Sequence, residues 1–223
     1  MKKLLIAIVC MMSLSISAQK QVEKTIGEFK TLKVYDRINI KMIKSDVNKV
    51  VINGENRNEV EVINKNGKLK IRMGIEEIYD GDDTVVKLYY TSVEVIDANE
   101  GANITVENTI EQFEIDLKTQ EGATITAELD VTYANIRSVT GGVIKATGKA
   151  KNQDISIYTG GVYKGAKCTS ENSEVSINAA GEVYVNASEG VDIRIRAGGD
   201  VYVFGDPKRI DESRVFGGRI KRM

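Results

Sequence analysis

Four side chains stand out by type and spacing: Lys145, Lys164, Tyr184 and Tyr202. They lie 19, 20 and 18 residues apart, and each is the middle of a triplet whose flanks are apolar or small: Ile144-Lys145-Ala146, Tyr163-Lys164-Gly165, Val183-Tyr184-Val185 and Val201-Tyr202-Val203. Phenols offer a large apolar ring with a polar tip of the kind favoured at interfaces, so this set suits recognition rather than bond breaking. The chain has no histidine and no tryptophan. It therefore lacks the commonest general base, the commonest zinc ligand and the best stacking platform for sugars. The stretch EEIYDGDDT, residues 76–84, gathers Asp80, Asp82 and Asp83, yet it lacks the full twelve-residue calcium loop and reads as a solvated loop. No catalytic or metal constellation emerges, and no cofactor is expected.

The elements that carry these residues repeat. Small-residue pairs begin at Gly101, Gly122, Gly141, Gly160, Ala180, Gly198 and Gly217, spaced by 21, 19, 19, 20, 18 and 19 residues. Three positions after each start comes an apolar residue: Ile104, Ile125, Ile144, Tyr163, Val183, Val201 and Ile220. Five positions before each of the first six pair starts, Ile96, Leu117, Ile136, Ile155, Val175 and Ile193 form a second register. Period-two alternation around both registers indicates strands with one face inward. Two strands and a corner of small residues, recurring every 18–21 residues, describe one coil of a solenoid whose coils pair in parallel. The expected fold is all-β, a parallel β-helix. Glycine suits the corners because it reaches left-handed backbone angles without a Cβ penalty, while alanine at Ala102, Ala123 and Ala180 implies that close packing is part of the cause.

The intervening positions Thr105, Thr126, Lys145, Lys164, Tyr184, Tyr202 and Lys221 then form one outward ladder. It is the expected interaction face, if the chain has one. A stack of tyrosines also supports a parallel sheet by itself, and lysines on an open sheet deter aggregation, so an architectural reading stands beside the functional one.

Residues 1–18 carry Lys2 and Lys3, an apolar run from Leu4 to Leu14 and small residues before Gln19, the build of a secretory signal peptide. Cys10 lies in that run behind the bulky Val9, an unsuitable site for lipidation. Export leaves Cys168 as the lone thiol, with no internal disulfide available and the reading of a small core residue. Loss of Lys2 and Lys3 takes the formal charge from −1 to −3, since residues 1–18 contain no acid. With acids and bases interspersed, nothing points to nucleic acid, and no segment of the mature chain is apolar enough to span a bilayer. The expected organisation is a signal peptide over 1–18 and one β-helix domain over 19–223. Residues 19–92 make less regular coils, read as continuous with the rest, and 93–223 make regular ones. VINKNGKL, residues 62–69, admits either a hairpin turning at Asn66-Gly67 or a wider coil.

The N-terminal Phe29, Leu32 and Val34, the serial Gly-Ala or Gly-Gly corners, Gly205-Asp206-Pro207 and the closing GGRI at 217–220 together resemble the head GIN domain family, adhesin-like secreted proteins of Bacteroidota. The resemblance covers roughly residues 27–221. It implies a right-handed parallel β-helix and a surface role, and supplies neither a receptor nor catalytic residues. The expected function is a non-enzymatic exported protein of the periplasm, cell surface or medium, an adhesin or scaffold for a surface protein or glycan. Alternatives are a polysaccharide-active enzyme on the same fold and a self-assembling structural protein, with a homo-oligomer as a further possible partner.

Overall fold

The computed structural model describes residues 21–223, so the signal peptide over 1–18, Cys10 and the start at Gln19 lie outside the described residues. Alternating sequence becomes strand almost throughout. The strands are β1 (Val22–Thr25), β2 (Thr31–Val34), β3 (Asn39–Lys44), β4 (Lys49–Asn53), β5 (Val60–Lys65), β6 (Lys68–Met73), β7 (Val85–Tyr90), β8 (Val95–Ala98) and β9 (Asn103–Val106). They continue with β10 (Ile110–Thr119), β11 (Thr124–Val139), β12 (Val143–Tyr158), β13 (Val162–Ile177), β14 (Glu182–Ala197), β15 (Asp200–Phe204), β16 (Arg209–Phe216) and β17 (Arg219–Arg222). All seventeen belong to one sheet. Stacked parallel strands wind it into a β-solenoid of about 7 turns, the all-β parallel architecture the repeat predicts.

Both inward registers run through the stack as columns. One pairs Leu69, Leu32, Ile96, Leu117, Ile136, Ile155, Val175 and Ile193 in succession. The other pairs Ile40, Ile104, Ile125, Ile144, Tyr163, Val183 and Val201. Every member is at most 2% exposed. Burial of an aliphatic chain of this size contributes about 1.5–3 kcal/mol, so these two columns supply much of the driving force for coiling.

Gly141 and Gly142 show the two causes of the corner. Gly141 has φ +72° with open space where a Cβ would stand, so its requirement is conformational. Gly142 needs no special angle, but a Cβ there would lie 2.6 Å from Thr119 Oγ1 in the coil below. Thr119 donates to Ser138 Oγ at 3.0 Å, and Ser138 Oγ donates to the Gly142 carbonyl at 2.6 Å, a buried polar ladder that fills the corner and excludes a larger residue. Residues just before the glycines, Glu100, Glu121, Thr140 and Thr159, share the left-handed region, with φ between 48° and 53°.

The N-terminal end departs from simple continuation in chain order. β2 and β3 sit between β6 and β7 on one side and β8 and β9 on the other. Residues 49–90 thus fold back over the first coil. β5 and β6 form the hairpin that residues 62–69 admit, turning at Asn66 and Gly67 with φ 53° and 71°. β4 runs antiparallel to β7, and β1 antiparallel to β4. This covering gives the end coil a partner for its open backbone groups. The coil of β2 and β3 turns at Asp36 and Arg37, both with φ 58° and neither small. Asp36 is buried, and its carboxylate accepts from Met73 N at 3.0 Å and Tyr79 N at 3.4 Å, a local arrangement that holds the left-handed corner.

At the other end the core thins, with Ile220 of β17 opposite Val201 and only partly buried against it. In β16, Glu212 pairs opposite Ile193 and Arg214 opposite Ile195, so charges take the inward positions. The two are ion-paired at 3.3 Å, and β16 is largely exposed.

Candidate interaction face

The outward ladder forms in the register its spacing implies. Thr105, Thr126, Lys145, Lys164, Tyr184, Tyr202 and Lys221 are successive partners across neighbouring strands. It extends further than the small-residue repeat shows, because Lys41 pairs with Thr105 and Lys87 with Lys41. Parallel pairing sets these side chains about 4.8 Å apart. The rings of Tyr184 and Tyr202 stack with centroids 4.6 Å apart and planes 9° apart. Lys221 Nζ covers the Tyr202 ring at 5.4 Å, and Tyr184 donates to Glu182 Oε2 at 3.1 Å. Burial against its neighbours and the Glu182 carboxylate both push the Tyr184 phenol above its ordinary value, so it stays a neutral donor at physiological pH.

Just past Lys164 the pairing of β13 with β14 is broken by a bulge. Lys164 pairs with Tyr184 and Thr169 with Asn186, so β13 carries four residues where β14 carries one, Val185. The bulge has a cause inside the coil. Tyr163 is fully buried where other coils hold Ile or Val, and its hydroxyl donates to Gln153 Oε1 at 2.7 Å. Gln153 in turn donates to the Cys168 carbonyl at 3.3 Å. The ring takes the space of the next inward residue, since a Cβ on Gly165 would lie 2.4 Å from it. Cys168 is a buried core thiol, as its lone occurrence implies, and burial pushes its pKa up to about 11. It is no nucleophile.

Outside, the bulge leaves a groove of about 490 Å³ bounded by Lys145, Lys164, Lys167 and Tyr184, with Ala146 and Ala166 also lining it. Lys167 stands in the column beside the ladder, opposite Thr147. The repeat does not reveal it, because β13 carries two residues, Gly165 and Ala166, where β12 carries Ala146.

A second column runs along the coils, also unread in the sequence. Asp116, Asn135, Asp154, Glu174, Asp192 and Asp211 are successive partners. The signal was present, because the last five recur at 19, 20, 18 and 19 residues. Asn135 bridges Glu114 and Asp116 at 2.7 and 2.8 Å, while Arg209 reaches Asp192 at 3.2 Å and also pairs with Asp211. Two carboxylates of residues 76–84 turn to separate partners: Asp82 to Arg37 at 3.3 Å and Asp80 to Asn56 at 2.8 Å. Among the described residues no group of three or more His, Cys, Asp or Glu is placed to hold a metal ion.

Continuous side-chain ladders on coils held by parallel pairing define a β-solenoid repeat protein. The chain belongs to the family described as "Putative auto-transporter adhesin, head GIN domain", whose model matches residues 28–207. The family's N-terminal Phe29, Leu32 and Val34 are core residues here, each at most 2% exposed. Similar solved structures include a "putative adhesin" of Bacteroides fragilis, 18% identical with a TM-score of 0.84, covering 92% of this chain and 96% of that one. A "putative adhesin" of Parabacteroides merdae is 15% identical with a TM-score of 0.73, covering 92% and 95%. A "Putative lipid binding protein" of Parabacteroides distasonis is 14% identical with a TM-score of 0.67, covering 92% and 96%. At these identities the likeness is one of fold. No curated protein matches the chain in sequence. No helix among the described residues is long and apolar enough to cross a membrane.

Proposed function

We propose that the protein is exported and works as a non-enzymatic adhesin, with the outward ladder of Lys145, Lys164, Tyr184 and Tyr202 as its contact surface. The observation that carries this reading is the ladder itself: like charges directly opposite each other and two large stacked rings on an exposed, rigid sheet. Such a surface offers area and charge without an ordering cost on binding. Family membership supports adhesion, and the build of residues 1–18 supports export. The absence of histidine weighs against acid-base chemistry.

The test uses beads coated with the purified mature chain and measures their retention on epithelial monolayers and on fibronectin and collagen layers. Retention that falls when Tyr184→Ser and Tyr202→Ser are combined, with the fold kept, is the expected result. Equal retention of both bead types on every surface, or none by the wild type, would overturn it. N-terminal sequencing of protein from its own cells is expected to begin at or near Gln19, and a chain that retains Met1 would sink the exported role.

A further inference from the structure

The groove beside the ladder has a chemistry narrower than adhesion in general. Three lysines surround it, Lys145, Lys164 and Lys167, and all three are exposed. Lys145 and Lys164 are direct partners across β12 and β13, an arrangement that costs stability unless an anion offsets it. None of the three makes an ion pair among the described residues, and no carboxylate lines the groove. Many other cations of the coils are matched to an acid on a neighbouring strand. Lys33 meets Asp97 at 2.5 Å, Lys149 meets Asp130 at 3.1 Å, Lys208 meets Glu189 at 2.7 Å and Arg219 meets Asp200 at 2.6 Å. The chain thus neutralises basic side chains across its coils in several places and leaves this cluster open.

Shape adds a second constraint. Ala146 and Ala166 keep the groove's lining small, and Lys167, opposite Thr147 beside the ladder, lines it together with Lys145 and Lys164. Tyr184 forms one wall. One face of its ring is covered by Tyr202, and since Lys164 precedes Tyr184 in the ladder, the other face looks into the groove. A ligand that fits therefore carries negative charge for three ammonium groups and a flat apolar face for a phenol. Acidic sugars have both: a carboxylate or sulfate beside a pyranose whose C–H face stacks on an aromatic ring. A flat neighbouring sheet would lie across the rim without entering the recess.

We propose that the groove between Lys145, Lys164, Lys167 and Tyr184 binds an acidic sugar of an anionic polysaccharide, its charge held by the lysines and its ring packed on Tyr184. The proposal rests on the ladder being the contact surface and names what it contacts. The polymer would run along the ladder, where stacked positions recur about every 4.8 Å.

Titration calorimetry with the mature chain tests it, with polygalacturonate as the carboxylate probe, dextran sulfate as the sulfate probe, and methyl-esterified galacturonan and dextran as neutral controls. One or both polyanions are expected to bind and the neutral polymers not, with binding weakened as sodium chloride rises from 50 to 300 mM. Combined Lys145→Gln, Lys164→Gln and Lys167→Gln should weaken it at least tenfold, and Tyr184→Ser alone severalfold, while the lysine variant melts no lower than the wild type because a like-charge pair is removed. Combined Lys149→Gln and Lys151→Gln, on lysines already paired with Asp130 and Glu171, should change it less than twofold. The proposal fails if neither polyanion binds, if both lysine sets weaken binding alike, or if light scattering shows a salt-sensitive dimer that the groove substitutions disperse. In that last case a second copy would be the occupant. Ladder-dependent bead retention without polyanion binding would defeat this inference and leave the adhesin reading standing. Polyanion binding without any retention would do the reverse.

Discussion

Tyr184 and Tyr202 lie directly opposite each other on β14 and β15, their rings 4.6 Å apart and nearly parallel at 9°. The contact follows from parallel pairing, which gives equal residues equal direction. It means that the two rings are held as one rigid apolar plate before any partner arrives, with Lys221 closing its far side.

Removing that plate separates architecture from recognition. An aromatic pair of this kind contributes about 0.5–1.5 kcal/mol beyond its buried area. Tyr184→Ser with Tyr202→Ser is expected to lower stability by about 1–2 kcal/mol, keep the β circular-dichroism spectrum and reduce attachment per folded molecule. Attachment unchanged after correction for the folded fraction would assign the plate to architecture alone.

The core columns make a sharper demand. Ile144 and Ile155 are each 0% exposed. Ile144→Asp or Ile155→Asp buries a carboxylate without a partner and is expected to cost several kcal/mol, roughly 3–5. Thr126→Lys, in the outward ladder next to Lys145, should cost less than about 1 kcal/mol, the effect of one more like charge in a row. Thermal melts decide it, and a core variant that melts within a degree or two of wild type would refute the column.

Tyr163 and Gly165 form a volume exchange. Gly165→Ala places a methyl group 2.4 Å from the Tyr163 ring, and the expected loss is about 1–3 kcal/mol from overpacking. Tyr163→Phe keeps the volume but leaves Gln153 Oε1 without its donor, a loss of about 1–3 kcal/mol. Adding Tyr163→Ile to Gly165→Ala recreates the Ile144 and Ala146 pair of the coil below, so in thermal melts the double variant should recover the overpacking part of the loss. A double variant no better than Gly165→Ala would show that Gly165 is required by the backbone instead.

The same cluster sets an alkaline limit. Burial holds the Cys168 thiol at about 11, above the roughly 8.5 of a free cysteine. Folded-state values raised in this way stabilise fully below the unfolded value, because both states are then protonated. Above it the unfolded chain releases a proton that the folded chain retains, so stability falls as pH rises from about 8.5 and the contribution is lost through about 11. Tyr163, pushed well above its ordinary value by burial, extends the decline to higher pH. Urea midpoints should drop between pH 8 and pH 11, and Cys168→Ala should flatten that slope. An identical slope in the variant would place the alkaline sensitivity elsewhere.

Residues 93–204 needed little beyond the sequence. Period-two alternation selects which side chains face inward, and corners recurring every 18–21 residues fix the phase between coils, so Ile144, Tyr163 and Val183 were in register before any pairing was known. The outward ladder of Lys145, Lys164, Tyr184 and Tyr202 followed from the same counting. What they contact did not, because register says where side chains stand and not what they meet. The acidic column from Asn135 to Asp211 was equally countable, since Asn135, Asp154, Glu174 and Asp192 each stand just before an inward residue of the second register, but the mix of amide, Asp and Glu carries no single residue type to mark it.

Tertiary structure alone decided the two ends and the groove. β2 pairs with β8 across 64 positions of chain, as Lys33 and Asp97 show, and its corner at Asp36 and Arg37 holds no small residue, so no local signal marked it as a coil. The return of residues 49–90 over that coil depends on which open edge lacks a partner, a property of the assembled stack. Lys167 lines one groove with Lys145 and Lys164 beside the buried Tyr163 ring, where four residues of β13 stand against one of β14. Alternation is a local property that each strand carries in its own residues, whereas a bulge and a capped end come from the volume and the unpaired backbone that other coils leave behind.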